Sequence, residues 1–134
     1  MLPYLLLFLS SKVSRGELYL QRRPVWKDIQ PGRWDTAVGG HVDWGETVEE
    51  ALRREVREEL GITEFSPFRI AVYPFRSDRE RELVYVHRAV YDGAIFPSDE
   101  LDGGRFWTPG EIRASLGKGV FTPNFESEAA LILG

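Results

Sequence analysis

No cysteine occurs in the 134 residues, which excludes a disulfide, a thiolate nucleophile and a cysteine-rich zinc site. That suits a reducing compartment, so the cytoplasm is the expected location. Basic charge is also short: 17 Lys and Arg against 21 Asp and Glu leave a formal charge of -4 and a pI near 5.3. Broad nucleic-acid binding depends on basic surface that releases counterions from phosphates, and this balance argues against it. Small polyanions held by a local basic cluster stay compatible with the composition, and so does a homodimer. Long apolar runs are scarce. The stretch Leu2 to Leu9 lacks a basic flank and is far too short to span a bilayer, so no membrane association is expected and it reads as a buried strand. Low-complexity tracts and internal repeats are missing too, which leaves one mixed core and a single domain over residues 1–134.

What is present is a series of short strand-like runs rich in aromatic and branched residues: Tyr4 to Leu9, Glu17 to Arg22, Arg33 to Val38, Phe68 to Phe75, Glu82 to Tyr91 and Arg105 to Trp107. Glycine or proline marks the reversals at Ser14-Arg15-Gly16, Pro31-Gly32, Asp92-Gly93 and Asp102-Gly103-Gly104. Helical signals cover Val48 to Leu60, Pro109 to Leu116 and Pro123 to Leu133. Thr47 and Glu50 form a capping box for the first, Gly61 stands where a left-handed C-terminal residue is wanted, and Thr122 before Pro123 caps the last. The pattern predicts an α+β domain.

Residues 40–62 read GHVDWGETVEEALRREVREELGI and carry six glutamates, five of them on the first helix. Glutamates and arginines interleaved on a helix ordinarily form a solvated face with i,i+4 pairs. Helical geometry points elsewhere here. At about 100° per residue, Val48, Leu52, Val56 and Leu60 make one apolar stripe; Glu59 projects within it, and Glu55 lies about 20° beyond its edge with Glu58 about 60° further round. Carboxylates at the margin of a buried face are costly, and three at i, i+3 and i+4 cannot all stay charged without a cation. An all-oxygen donor set suits Mg²⁺ or Mn²⁺, and such ions imply phosphate chemistry, since they offset developing negative charge and acidify an attacking water.

The spacing Gly40, five residues, Glu46, seven residues, then Arg54-Glu55-Val56-Arg57-Glu58-Glu59-Leu60-Gly61-Ile62 resembles a complete Nudix box, with nine specified positions over 23 residues. The resemblance implies the Nudix fold, a mixed β-sheet sandwiched between helices, and Mg²⁺-dependent (or Mn²⁺-dependent) pyrophosphohydrolysis of a small diphosphate substrate linked to a nucleoside. It further implies that Glu55, Glu58 and Glu59 ligate metal, with the backbone carbonyl of Gly39 or Gly40 as a further ligand. Arg54 would orient the carboxylates and Glu46 would support it. Glu55 or Glu58 is the first choice of general base, with a carboxylate outside the box as the alternative.

The stretch QRRPVWKDIQPGRWDTAVGGHVDWGE is similar to isopentenyl diphosphate isomerases and their hydrolytic relatives. Isomerisation needs a cysteine before the Gly-His pair, and here Gly39 precedes Gly40-His41. In this comparison His41 matches a metal-binding histidine, and Glu80 and Glu82 match a metal-binding pair; His41 as an ordinary loop residue and the glutamates as partners of Arg79 and Arg81 are the plainer readings. Glu100 is a third extra-box carboxylate. His87 alternates with Leu83, Tyr85 and Ala89 and reads as packed. Arg22, Arg23 and Lys27 match residues that hold the diphosphate, and arginine forks suit phosphate oxygens. Trp44, inside the box loop, is a candidate stacking platform beside the commoner fate of core packing. Members of this branch commonly carry further N-terminal residues before the first strand. Two alternatives stand beside hydrolysis: an isomerase-like enzyme, and a nucleotide-sensing module of the kind that typically has a damaged box and an attached effector domain.

Overall fold

Along the chain run β1 (Leu2–Ser10), β2 (Leu18–Arg22), β3 (Trp34–Thr36), β4 (Val38–His41), α1 (Val48–Leu60), β5 (Phe68–Arg76), β6 (Arg81–Val90), β7 (Gly104–Trp107), α2 (Pro109–Ser115) and α3 (Pro123–Leu133). These come from a computed structural model that describes residues 2–11, 16–76, 78 and 81–133. All the strands join one seven-stranded mixed sheet with β1 near its middle.

β1 is apolar at nearly every position because both its faces are covered. Leu5, Leu7 and Leu9 pack with Leu52, Val56 and Leu60 of α1, whereas Leu6 and Phe8 pack with Ile112 of α2 and Phe125 and Ala129 of α3. Each such leucine, fully withdrawn from water, contributes about 1.5–3 kcal/mol. The helices therefore lie on both faces of the sheet, as the sequence led us to expect.

One edge of β1 pairs in parallel with β6 from Leu2↔Glu82 to Ser10↔Val90. The other edge is divided. Leu9 and Ser10 pair with β2, but Tyr4 to Leu7 pair with β4, in the register Tyr4↔His41 to Leu7↔Val38. β2 meanwhile pairs with β3 over Leu20 to Arg22. β1 and β2 thus touch at one end and diverge, and the β3–β4 segment changes partner between them. A single strand from Arg33 to Val38 was expected, and that expectation is corrected: the chain breaks at buried Ala37 and continues in strand form through Gly39-Gly40 to His41. Glycine is intrinsically poor in strands, but pairing with β1 overrides the local preference.

The helix signals are where the sequence put them. Thr47 and Glu50 close a reciprocal capping box at the start of α1, and Gly61 ends it at φ 66° with its N–H donated to Arg57. Thr108 and Glu111 repeat the device on α2, which stops at Ser115. The Thr122 hydroxyl accepts the Phe125 N–H at 3.2 Å and caps α3. Gly32 and Gly103 take φ of 68° and 74°, as the expected reversals require; Ser14 and Arg15 of the first turn lie outside the described residues. Among the described residues no helix is long and apolar enough to cross a membrane.

Candidate functional site

The buried arc of α1 is wider than the heptad-like stripe suggested. Ala51 is fully buried along with Leu52, Val56 and Leu60, while Val48 at the helix entrance is only half-buried. At about 100° per residue, Ala51 lies about 60° beyond Val48 on the side where Glu55 lies about 20° beyond. Glu55 and Glu59 therefore both point from within the buried arc, a correction to the position expected for Glu55. What makes room for them is the strand opposite. A Cβ built on Gly40 would stand 2.6, 2.7 and 3.0 Å from the Cδ, Oε1 and Oε2 of Glu55. Successive strand residues face opposite sides. Gly39 accordingly faces away, and a Cβ there would meet the Tyr4 hydroxyl at 2.8 Å and Leu6 Cδ2 at 3.3 Å.

Arg54 organises the acids. Its Nε and Nη2 donate to Glu46 at 2.8 and 2.9 Å, its Nη1 donates to Glu55 Oε1 at 2.9 Å, and Nη2 reaches the His41 carbonyl at 3.2 Å. Glu58 lies 3.5 Å from Nη1, with its side chain 56% exposed. Asp43, which the sequence did not single out, adds a fourth carboxylate 3.4 Å from Nη2 and donates its N–H to Glu46 at 2.9 Å. The Arg54 hydrogen bond holds Glu46 below the usual glutamate range, and the same bonds raise Arg54. Burial pushes Glu55 up, against the pull of Arg54. Glu59 is pushed up to about 8, first by burial and then by the charges of Glu55, Asp35 and Glu100, and its Oε2 is buried without a hydrogen-bond partner.

This arrangement fits a hard divalent cation. The donors are all oxygens, an acceptor oxygen is orphaned, and bare glycine backbone lies alongside. Among the described residues no three Asp, Glu or His side chains already converge as around an ion; Glu58, with its side chain largely exposed, has freedom to swing toward Glu55 and Glu59.

A cavity of about 170 Å³ opens beside these groups and brings together Gly39, Glu59, Glu100, Arg23 and Lys27. Other expected residues are elsewhere. Arg22 is not among its lining residues: its Nε donates to the Gly32 carbonyl at 3.1 Å and its Nη1 pairs with Asp102 at 3.3 Å, clamping the 24–32 loop. Arg23 lines the cavity, yet its Nε is spent on the Ile29 carbonyl. Glu82, buried in β6, meets His41 Nε2 at 2.7 Å and lines a neighbouring cavity, so its carboxylate is paired with that histidine rather than with Arg81. Glu80 lies outside the described residues. His87 is buried and bonded to the Leu6 carbonyl, a packed residue. Trp44 is fully exposed, and Trp34 and Trp107 pack edge to face on each other.

Sequence reasoning passed over Asp35, Asn124 and Glu128, which also line the first cavity. A carboxylate in the strand run Trp34-Asp35-Thr36 and a glutamate next to the apolar run Ala129 to Leu133 of the last helix were the available signals.

Residues 8–125 match the model of the NUDIX domain family. A Nudix hydrolase of Deinococcus radiodurans is 34% identical over 122 residues, covering 79% of this chain and 64% of the relative. An isopentenyl-diphosphate Delta-isomerase of Burkholderia multivorans is 34% identical over 88 residues, covering 63% of this chain and 50% of the relative. The chain therefore spans less than two thirds of the length of these curated relatives. Among solved structures, a Deinococcus radiodurans protein superposes with a TM-score of 0.77 at 28% identity, covering 97% of this chain and 82% of that one.

Proposed function

The chain belongs to the NUDIX domain family, and on that premise we propose that it hydrolyses the diphosphate linkage of a small nucleoside-diphosphate-linked substrate by attack of water at phosphorus. The observation that carries the reading is the cradle in which Gly40 admits the Glu55 carboxylate while the neighbouring Glu59 keeps a buried oxygen unpartnered.

Glu55, Glu58, Glu59 and the Gly39 carbonyl would hold Mg²⁺ or Mn²⁺. When bound, the ion supplies Lewis acidity, making water easier to deprotonate and offsetting charge on the phosphate oxygens. Arg54, anchored by Glu46, fixes the Glu55 carboxylate so that its geometry does not depend on the substrate's arrival. Arg23 and Lys27, on the same cavity, would meet the diphosphate charge. Glu55 or Glu58 takes the proton from water; of the carboxylates outside the box, Glu100 is the alternative best supported, because it shares the cavity with Glu59.

The isomerase reading loses further ground at residue 39. Protonating a carbon there needs a thiol, and any Cβ at this position meets the Tyr4 hydroxyl at 2.8 Å. A nucleotide-sensing module has little to recommend it while the whole acidic set is in place. Purified protein with Mg²⁺ should split at least one member of a panel of nucleotide sugars, dinucleotides and nucleoside triphosphates, and Glu58→Gln should abolish turnover. A panel that stays intact, or an unaffected variant, overturns the proposal; binding without turnover would favour the sensor, and conversion of isopentenyl to dimethylallyl diphosphate the isomerase.

A further inference from the structure

The cavity beside the glutamates does not end at them. From Glu59, on the α1 side of the sheet, it reaches past Gly39 to Glu128 of α3, on the opposite face. The far end has its own chemistry: Gln21, Asp35 and Glu128 bring acceptor oxygens to it, beside the Tyr4 hydroxyl and the Asn124 amide. Glu128 is only 7% exposed and accepts a hydrogen bond from the Thr36 hydroxyl at 3.3 Å. Gln21 lines the same space, and its amide oxygen is buried with no hydrogen-bond partner. Asp35 completes the set. The three come from β2, β3 and α3, so tertiary packing rather than a local acidic run gathers them.

A buried acceptor without a donor costs about 1–3 kcal/mol, a cost that a ligand's N–H or O–H group would remove. An aliphatic head placed there would leave the Gln21 oxygen without a donor, whereas Asp35 already accepts the Thr36 N–H at 2.7 Å and Glu128 the Thr36 hydroxyl. We propose that this far end is the pocket for the substrate's non-phosphate head, and that Gln21, Asp35 and Glu128 select heads rich in hydrogen-bond donors. The inference rests on the hydrolase reading for what lies at the cavity's other end. Aminated nucleobases and sugars share the required chemistry.

Matched monophosphates separate these sources, and none contains an anhydride that could be turned over. Calorimetric titrations in Mg²⁺ would compare adenosine 5′-monophosphate with purine riboside 5′-monophosphate, which lacks the amino group, and glucose 1-phosphate with cyclohexyl phosphate, which lacks the hydroxyls. The donor-bearing member of one pair should bind about tenfold tighter or more. Glu128→Gln and Gln21→Leu should reduce that ratio toward one while leaving the donor-free partner's affinity in place. Asn124→Ala, at an exposed position on the same wall, serves as a second probe should either core variant melt early. Equal affinities within both pairs, no binding of any member, or variants that weaken both members alike would overturn the inference. The readout is binding, so absent hydrolysis would refute the proposed reaction without hiding a head preference.

Discussion

Replacing Gly40 by alanine puts the cradle to its sharpest test. The added methyl would lie 2.6–3.0 Å from three atoms of the Glu55 carboxyl group, where ordinary contact begins at about 3.4 Å. The carboxylate must retreat by most of an ångström, and the 2.9 Å bond from Arg54 Nη1 to Glu55 Oε1 has to lengthen or break. Displacement of about 1 Å in a reacting constellation costs on the order of 100-fold in rate, equivalent to about 2.7 kcal/mol of barrier. Stability should hardly change, because Gly40 has no positive φ that alanine would strain and alanine is the better strand residue. Gly117→Ala is the complementary control: nothing lies within 4 Å of its Cβ, but φ is 74°, so it should cost about 1 kcal/mol of stability and no activity per folded molecule. Steady-state hydrolysis with Mg²⁺, normalised to folded protein by thermal melts, reads both. A Gly40→Ala enzyme with undiminished kcat would refute the cradle.

Other outcomes follow from the same contacts. Arg54→Lys should lower kcat by about 100-fold with little change in melting temperature, since one ammonium cannot reach Glu46, Glu55 and the His41 carbonyl together; retained activity in a steady-state assay would contradict the positioning role. Thr47→Ala removes the acceptor for the Glu50 N–H and should cost about 1 kcal/mol, seen as a lower denaturant midpoint. Glu128 is raised from 4.5 to about 8, chiefly by burial. Its proton is bound more tightly in the folded state, so the stabilisation is fully present below about pH 4.5 and is lost as pH rises through about 8. Urea midpoints for Glu128→Gln should therefore fall less between pH 5 and pH 8 than those of the wild type, and parallel curves would count against the assignment.

Much of this was legible in the chain. The caps of α1 and α3 are local chemistry, and Thr47, Glu50, Gly61 and Thr122 act as their types dictate. The acidic face of α1 follows from spacing alone. The break at Ala37 did not show, because the continuation through Gly39-Gly40 depends on pairing with Tyr4 to Leu7, more than thirty residues earlier. Ala51 blurred the helix face, since alanine marks neither a core nor a solvent position by itself. Arg22 and Arg23 resembled phosphate ligands, but each spends its Nε on a carbonyl of the 24–32 loop, a use that only the folded loop reveals. Asp35 and Glu128 lie 93 positions apart in sequence and meet one cavity only through packing.

The most direct measurement of the central claim is hydrolysis in water labelled with heavy oxygen, with and without Mg²⁺, followed by mass spectrometry of the products. The expected result is turnover that requires the divalent ion, places one labelled oxygen on a phosphate of the product and disappears in Glu58→Gln. Metal-independent turnover, or products whose phosphates carry no label, would contradict it.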